Sequence, residues 1–344
     1  MDKIKNILNN LSLPNMLGQM MMISIKGTRV TDDVRDLIQT ISPGGVILFK
    51  ENYQDYEQLR QLCYELQEIA KTNSSSIPLF ISVDQEGGRV VRLSEPFTML
   101  PSAKEIGVKG ADYVYERASC LAKELKEVGI NMDHAPVLDV DNNKDNPIIG
   151  DRSFSHDPNI VAKLGFAFFK GLQDNGIIST GKHFPGHGDT CSDSHLDLPI
   201  VLHDKLWLEK IELHPFREAI KKGIETIMTA HVLYPNLDKK YPATLSKKIV
   251  KDILRKELGF NGLIITDDLS MKGITLQYNQ VEASYLALKA GASIILICKQ
   301  TYDVYKNIHR TLLEKVEGAS STLIAQVKRE VKNILSIKQK YLIM

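Results

Sequence analysis

Eight short apolar runs recur along the 344-residue chain, and each has the length of a buried β-strand. The runs occupy residues 20–25, 45–49, 79–83, 130–135, 177–180, 226–230, 263–266 and 293–297. Between most of them, apolar residues repeat about every 3.6 positions, the period of an amphipathic helix, as at Leu164, Phe168 and Leu172. The pattern predicts strands that alternate with helices.

Glycines stand where several of the predicted helices end. Those that lie shortly before a predicted strand are Gly129, Gly176, Gly223, Gly259 and Gly291. Glycine accepts the left-handed backbone that ends a helix and turns the chain into the next strand. Strand, helix and glycine in repeated order predict an α/β fold, a single (β/α)8 TIM barrel, with a doubly wound open sheet as the competing architecture.

The chain contains no Pro-, Ser- or Gly-rich linker long enough to separate two domains. We therefore expect one domain over residues 1–344. A helix at about residues 1–15 and a lysine-rich helix at about residues 320–342 should pack on the barrel. The second of these has apolar residues at helical spacing, including Val327 and Val331.

The composition is that of an ordinary globular protein, with 43% hydrophobic and 25% charged residues. A formal net charge of +1 gives no overall field that would attract nucleic acid or an anionic membrane, so neither is an expected partner. The N-terminus lacks the apolar segment of a signal peptide, and no run approaches the roughly 18 apolar residues of a membrane span. We expect a cytoplasmic monomer.

The four cysteines are far apart and form no CxxC pair; they are Cys63, Cys120, Cys191 and Cys298. This spacing argues against a zinc ribbon and against a disulfide framework. Cys191 lies among the polar motifs described below, and we interpret it as a small packing residue rather than a nucleophile.

Ionisable residues follow five consecutive predicted strands, the third to the seventh. They are Asp84, Glu86 and Arg89 after the third strand; Asp133, His134, Asp139 and Arg152 in and after the fourth; Lys182, His183, His187, Asp193 and His195 after the fifth; His231 after the sixth; and Asp267 and Asp268 after the seventh. The C-terminal ends of all strands meet at one face of such a barrel, where its active sites lie. The clustering therefore predicts an active site.

Three interpretations fit these residue types. Metal-assisted hydrolysis would use His183, His187 and His195, although the Pro-Gly pair between the first two places them in a loop and not on a helix face. Carboxylate chemistry would use Asp267 as a nucleophile, with a histidine carrying protons. An inactive barrel with structural histidines is the third interpretation.

The string Lys-His-Phe-Pro-Gly-His-Gly at residues 182–188, followed by Asp-Ser-His at 193–195, closely resembles the signature of family 3 glycoside hydrolases. More narrowly, it resembles the bacterial β-N-acetylglucosaminidases of peptidoglycan recycling. Further strings that match the same group in the same order are Asp84–Arg89, Arg152–Phe154 and Thr266–Met271. The resemblance covers essentially the whole chain. It implies a retaining exo-enzyme that hydrolyses terminal β-linked N-acetylglucosamine from muropeptides, without a metal or another cofactor.

The resemblance also implies a role for each matching residue. Asp267 would be the nucleophile that forms a covalent glycosyl-enzyme, and His195 would be the general acid/base, oriented by Asp193. The residues implied to hold the sugar hydroxyls and the acetamido group are Asp84, Arg152, Lys182 and His183. Thr266 stands where serine is commoner, a departure that casts little doubt on the role of Asp267.

The residues themselves are compatible with this chemistry. A carboxylate at a strand end, as at Asp267, is on a rigid element, which suits a nucleophile that must be held in line. A histidine two residues from an aspartate can hydrogen-bond to it and carry a proton near neutral pH. Because Asp193 lies in a glycine-rich loop that begins at Gly186, we expect this loop to move toward the leaving group.

Several alternatives stay open. A β-glucosidase of the wider family would usually take its acid/base from a second domain. A β-N-acetylglucosaminide phosphorylase is another, because a neutral histidine base does not repel phosphate. Attack by the acetamido oxygen of the substrate would need no protein nucleophile. From other classes come a metal-dependent barrel hydrolase and a non-catalytic sugar-binding barrel. Nothing in the residues identifies the aglycone.

Five polar residues near these motifs have local interpretations. Asp268 is expected to cap the following helix or to hydrogen-bond locally. His187 and His231 are expected to support their neighbours, and His134 to be a satisfied core histidine. Arg89 is open between substrate binding and an ion pair with a neighbouring carboxylate.

Overall fold

The computed structural model describes residues 2–73, 75–190 and 198–342. Its strands are β1 (Met21–Ser24), β2 (Gly45–Leu48), β3 (Phe80–Val83), β4 (Met132–Asp133), β5 (Ile178–Phe184), β6 (Thr226–Thr229), β7 (Leu263–Thr266) and β8 (Ile295–Ile297). All strand residues are buried, because one face of the sheet is covered by helices and the other fills the interior.

The sheet curves until its two ends meet. Successive strands pair in parallel from β1 to β7, and β1 also pairs in parallel with β8. A parallel bridge joins Ile265 in β7 to Ile294, which directly precedes β8. The predicted (β/α)8 barrel is therefore confirmed, and the doubly wound open sheet is wrong.

Helices follow the strands and surround the barrel. They are α1 (Asp2–Asn10), α2 (Leu13–Gln19), α3 (Asp32–Ile41), α4 (Tyr56–Thr72), α5 (Ala103–Gly107), α6 (Ala111–Glu127), α7 (Pro158–Asp174), α8 (Lys205–Lys210), α9 (Leu213–Lys221), α10 (Lys272–Thr275), α11 (Gln280–Ala290), α12 (Tyr302–Glu317) and α13 (Ser321–Tyr341). A π-helical segment, Lys248–Glu257, lies between β6 and β7. Within the described ranges, none of the helices is both long and apolar enough to cross a lipid bilayer.

Capping hydrogen bonds and glycine conformations determine where many of the helices begin and end. Thr31, Asp55 and Asn279 each accept a backbone N–H of the helix that follows, as side chains of these types do at a helix start. The five glycines predicted to stand between helix and strand all have positive φ, from 69° at Gly259 to 117° at Gly291. The predicted glycine turns are therefore confirmed.

The fifth strand is longer than the apolar run that predicts it. β5 extends to Phe184 and so includes Lys182 and His183, which the sequence pattern assigns to a loop. The chain after β4 stays paired with β5, since Leu138 N donates to the carbonyl of Lys182 at 2.6 Å. Apolar periodicity missed this part because its inward-facing side chains are polar and line the mouth of the barrel.

The ends of the chain pack together under the barrel. The predicted helix at about residues 1–15 is two helices, because Ser12 starts α2 by accepting the N–H of Asn15 at 3.3 Å. The C-terminal helix α13 packs against both α1 and α2. It thus covers the end of the barrel opposite the strand C-termini.

A lysine from α13 is buried in that lower end. Lys338 has no exposed surface, donates to Gln19 Oε1 at 2.8 Å, and lies 4.8 Å from the centre of the Phe80 ring. No carboxylate of the described residues pairs with it. Burial holds the pKa of Lys338 well below its ordinary value.

This buried amine should make stability depend on pH. Between its lowered pKa in the folded protein and the ordinary lysine pKa of 10.5, the Lys338 amine is protonated in the unfolded chain and unprotonated in the folded chain. Stability therefore rises with pH. We expect the free energy of unfolding of the wild type, relative to Lys338→Met, to increase between pH 7 and pH 10 by up to about 1.4 kcal/mol per pH unit. Denaturant titrations at several pH values measure this slope.

The matched control is Lys328→Met, which removes an exposed lysine of the same helix. Its difference from the wild type should not change with pH. Parallel pH curves for the wild type and Lys338→Met would show that the buried amine keeps its proton in the folded protein.

Candidate active site

A cavity of about 670 Å³ opens at the C-terminal ends of the strands. It brings together five of the predicted site residues, which are Asp84, Arg152, Lys182, His183 and Asp267. The other two, Asp193 and His195, lie outside the described residues, as does Cys191.

Lys182 is the buried centre of the cavity wall. Its side chain is 3% exposed, and Nζ lies 3.0 Å from Asp84 Oδ1 and 2.6 Å from Glu86 Oε1. Asp84 also accepts from Arg92 Nη2 at 3.0 Å. Burial alone would raise the pKa of Asp84, but the cations of Lys182 and Arg92 hold it well below its usual range. The cluster is therefore ionised at neutral pH.

Arg152 and Glu86 form a bidentate ion pair beside this lysine. Nε donates to Glu86 Oε2 and Nη2 donates to Oε1, both at 2.8 Å. Burial would raise the pKa of Glu86, but Arg152 and Lys182 lower it to about 2. Two parallel hydrogen bonds fix the plane of the guanidinium group, so Arg152 is held in one orientation at the cavity wall.

His183 is oriented from behind by a buried carboxylate. Its Nδ1 lies 2.6 Å from Asp139 Oδ2, and its backbone N–H donates to Asp139 Oδ1 at 3.0 Å. Because an ionised carboxylate only accepts, Nδ1 carries a hydrogen and the ring presents Nε2 toward the cavity. Arg152 Nη2 lies 3.5 Å from that Nε2.

Asp267 directly follows β7 and is partly buried. Its Oδ1 accepts the backbone N–H of Asp268 at 2.8 Å. Burial alone would raise the pKa of the Asp267 carboxyl. The imidazoles of His231 and His183 and the N–H of Asp268 outweigh burial, so this pKa lies below its ordinary value. Asp267 is therefore a carboxylate at neutral pH, with one oxygen fixed by the backbone.

The neighbours of Asp267 make local hydrogen bonds. Asp268 Oδ1 accepts the backbone N–H groups of Ser270 and Cys298, each at 2.9 Å. His231 Nε2 lies 2.9 Å from the Asp268 carbonyl, which can only accept, and Nδ1 lies 2.9 Å from Thr244 Oγ1. Both residues thus shape the turn that carries the nucleophile candidate.

The remaining polar residues of the motifs have structural partners. Arg89 Nε lies 3.1 Å from Asp151 Oδ1, so this side chain pairs with a neighbouring carboxylate. His134 Nε2 lies 3.0 Å from Ser82 Oγ, and burial lowers the pKa of this histidine to about 4. His187 packs its ring 5.7 Å from that of His183.

Two functional contacts were missed by sequence reasoning, those of Glu86 and Asp139. Glu86 lies in the Asp84–Arg89 motif, and Asp139 lies shortly before the Arg152–Phe154 motif. Their positions in the sequence do not show that Glu86 pairs with Arg152 or that Asp139 contacts His183. These contacts join residues 66 and 44 positions apart. Only the closure of the barrel brings them together.

Two further acids, Asp133 and Glu212, are buried but do not line the cavity. Asp133 accepts the backbone N–H of Gln85 at 2.9 Å, and burial raises its pKa to about 7. Glu212 accepts from Asn142 Nδ2 at 3.0 Å and packs against Gly186, where a Cβ would collide with its carboxyl group. Burial raises the pKa of Glu212 well above its ordinary value. Both groups are acids that the fold favours in their neutral form.

The three histidines of the motifs would suit a metal site. In residues 2–73, 75–190 and 198–342, no three His, Cys, Asp or Glu side chains are arranged to hold a metal ion. His195, the third of these histidines, lies outside these ranges.

Comparison with known proteins adds a family to this geometry. The sequence profile of the family described as "Glycosyl hydrolase family 3 N terminal domain" matches residues 12–337. Beta-hexosaminidase A of Pseudoalteromonas piscicida is 40% identical over 320 residues, covering 83% of this chain. The chain spans about half of that relative's length, 54%.

Two solved structures agree in fold over nearly the whole chain. One is a glycoside hydrolase family 3 beta-N-acetylglucosaminidase from Paenibacillus sp. str. FPU-7, with a TM-score of 0.92, 42% identity, and coverage of 96% of this chain and 63% of the other. The second is NagZ from Neisseria gonorrhoeae in complex with N-trifluoroacetyl-D-glucosamine. It has a TM-score of 0.77, 33% identity and 93% coverage of both chains. The predicted family is confirmed.

The buried carboxyl of Asp133 should make stability depend on pH. Its pKa is about 7 in the folded protein against an ordinary 3.8, so between these values the folded chain holds a proton that the unfolded chain has lost. This contribution to stability is full below pH 3.8 and is lost as the pH rises through 7. We expect Asp133→Asn to gain stability relative to the wild type between pH 5 and pH 8, measured by denaturant unfolding at both values.

Asp145→Asn, in an exposed loop, is the control and should show the same difference from the wild type at both pH values. If Asp133→Asn behaves like that control, the Asp133 carboxyl is already ionised at pH 5 and burial does not raise its pKa.

Proposed function

Because the chain belongs to the glycosyl hydrolase family 3, we propose that it is a retaining exo-β-N-acetylglucosaminidase with Asp267 as its nucleophile. The observation that carries the proposal is that one cavity holds both the ionised carboxylate of Asp267 and a set of ion-paired side chains. These side chains, here called the polar wall, are those of Asp84, Arg152 and Lys182. The similarity to a beta-hexosaminidase and to a beta-N-acetylglucosaminidase supports the same reaction class.

In the proposed reaction an oxygen of Asp267 attacks C1 of the sugar. The C1–O bond to the leaving group breaks as an ester bond between C1 and Asp267 forms. Water then attacks C1, the ester bond breaks, and the sugar leaves with its original configuration. The lowered pKa of Asp267 suits this role, because only the ionised form is nucleophilic. The hydrogen bond from Asp268 N leaves the second carboxylate oxygen of Asp267 for attack.

We propose that the polar wall holds the sugar. Asp84 can accept hydroxyl hydrogens, and Arg152 and Lys182 can donate to sugar oxygens. In the free protein these charges neutralise one another within 3.0 Å, so they need no substrate to be stable. Preorganised charges of this kind do not have to reorganise when the transition state forms. His183 would complete the wall, with its ring fixed by Asp139.

Proton transfer to the leaving oxygen is assigned to His195, with Asp193 as its partner. This part of the proposal rests on the sequence motif and on the family, since both residues lie outside the described ranges. The Asp193 carboxylate would favour an imidazole that carries a proton near neutral pH. Such a histidine takes the place of the second carboxylate found in most retaining glycosidases.

The proposed natural substrate is a peptidoglycan fragment that ends in β-linked N-acetylglucosamine. One structural neighbour was solved with N-trifluoroacetyl-D-glucosamine, an analogue of this sugar, which supports the terminal residue. Location in the cytoplasm and the monomeric state stay predictions.

The first test is release of p-nitrophenol from its β-N-acetylglucosaminide, with EDTA present throughout. We expect the wild type to turn over and Asp267→Asn to lose roughly 1,000-fold or more in kcat, because removal of a nucleophile leaves only binding and electrostatic terms. EDTA should have no effect if no metal takes part.

Asp268→Asn is the matched control, since it changes the adjacent carboxylate and keeps an oxygen that can accept from Ser270 and Cys298. We expect it to retain activity within about tenfold of the wild type. Full activity of Asp267→Asn would show that Asp267 is not the nucleophile. Loss of wild-type activity in EDTA would favour the metal-dependent alternative.

Replacement of the buffer with phosphate tests whether phosphate can serve as acceptor.

A further inference from the structure

A second cavity, of about 650 Å³, lies between the π-helical segment and α11, and the start of α13 also lines it. It shares no lining residue with the candidate active site. Part of its surface is apolar, since the buried side chains of Leu245 and Leu323 reach it. A cavity of this size is typical of sites for small molecules rather than for polymers.

Five lysines line this second cavity. Lys240 comes from the loop after β6, Lys247, Lys248 and Lys251 stand at the start of the π-helical segment, and Lys289 belongs to α11. None of the five forms an ion pair with a carboxylate of the described residues. Because the whole chain has a formal net charge of only +1, this is a local accumulation of positive charge.

The acids nearest to these lysines are already occupied. Asp238 is the one carboxylate among the described residues that lines the cavity. Its Oδ1 accepts the backbone N–H of Lys240 at 3.0 Å, and its Oδ2 accepts from Ser246 Oγ at 2.7 Å, so this acid holds the loop after β6. Asp252 lies outside the cavity and pairs with Lys256 at 2.7 Å. The lysines of the cavity are therefore left without a counter-ion.

Two of the lysines contact aromatic rings instead of acids. Lys240 Nζ lies 4.9 Å from the centre of the Tyr241 ring, and Lys289 Nζ lies 5.3 Å from the centre of the Tyr285 ring. Both tyrosines line the cavity. A cation above an aromatic ring is stabilised without being neutralised, so its charge stays available to an anion.

The start of α13 adds to the positive character of the cavity. Ser320 precedes this helix of 21 residues and lines the cavity. Its side chain makes no capping hydrogen bond, and the first turn of α13 contains no acidic residue. The partial positive charge of a helix N-terminus is therefore not balanced by the residues of α13 itself.

We propose that this second cavity binds a small anion that carries two or more phosphate groups. Ammonium groups from three chain segments repel one another when no anion is present, and a multiply charged ligand removes that repulsion. The lysines would donate to phosphate oxygens, and the apolar surface at Leu245 and Leu323 would hold a group attached to the phosphates. The site is separate from the proposed active site and takes no part in bond making.

The test is isothermal titration calorimetry of the full chain without divalent cations. The probes are inorganic triphosphate, which offers phosphate groups alone, and ATP, which adds a flat apolar base. We expect one molecule of either probe to bind per chain. The affinity should fall roughly tenfold between about 50 mM and about 300 mM salt, because the lysines are largely exposed to screening ions.

Variants assign the binding to the second cavity. Lys251→Met combined with Lys289→Met removes one ammonium from each of two walls and should raise Kd of both probes about tenfold or more. The same two positions changed to Arg should keep most of the affinity, because the charge is retained.

The matched control combines Lys239→Met with Lys328→Met. It lowers the net charge by the same amount, but both lysines are exposed and neither lines the cavity. This control should bind both probes within about twofold of the wild type, since distant exposed charges are screened.

The two probes also show which part of the cavity is used. Equal affinities would support a site for the phosphate groups alone, and tighter binding of ATP would support a role for the apolar surface as well. Failure of the wild type to bind either probe would overturn the proposal, as would undiminished binding by the variant that lacks Lys251 and Lys289. Neither result would affect the proposed glycosidase.

Discussion

The buried ammonium of Lys182, 3% exposed and within 3.0 Å of both Asp84 and Glu86, is the interaction on which the rest of the site depends. A buried charge is costly unless it is paired and hydrogen-bonded, so this lysine requires the two acids, and Glu86 in turn requires Arg152. The side chains come from the segment after β3, from β5 and from the loop after β4, and they meet only if the strands stand in the register of the barrel. Barrel closure and the polar wall therefore support each other.

Much of the fold could be predicted from the sequence, because apolar runs and helix-ending glycines are local signals. The site could be predicted in part, since ionisable residues at successive strand ends must meet at one face. The partners of those residues could not be predicted. Asp139 and His183 are 44 positions apart, and β5 runs through Lys182 although its inward side chains are polar there. The raised pKa values of Asp133 and Glu212 could not be predicted either, since burial is a property of the packed barrel.

Two kinds of charged group line the cavity. Asp267 is a single carboxylate whose pKa is lowered by His231, His183 and the adjacent N–H against the opposing effect of burial. The wall opposite is a network whose charges are already balanced. The charges of the polar wall do not have to reorganise when charge develops on the sugar. Together with the Asp267 carboxylate they therefore favour a charged transition state. The proposed chemistry rests on this geometry together with the family assignment.

Trapping of the covalent intermediate tests the central claim most directly. The protein would be incubated with a 5-fluoro-N-acetylglucosaminyl fluoride and then digested with trypsin. The ring fluorine slows both steps, whereas the good fluoride leaving group speeds only the formation of the glycosyl ester, so the ester accumulates. The account predicts that the peptide of residues 257–272 gains the mass of one fluorosugar, located on Asp267 by fragmentation. A label on another carboxylate, or continued turnover with no labelled peptide, would contradict it.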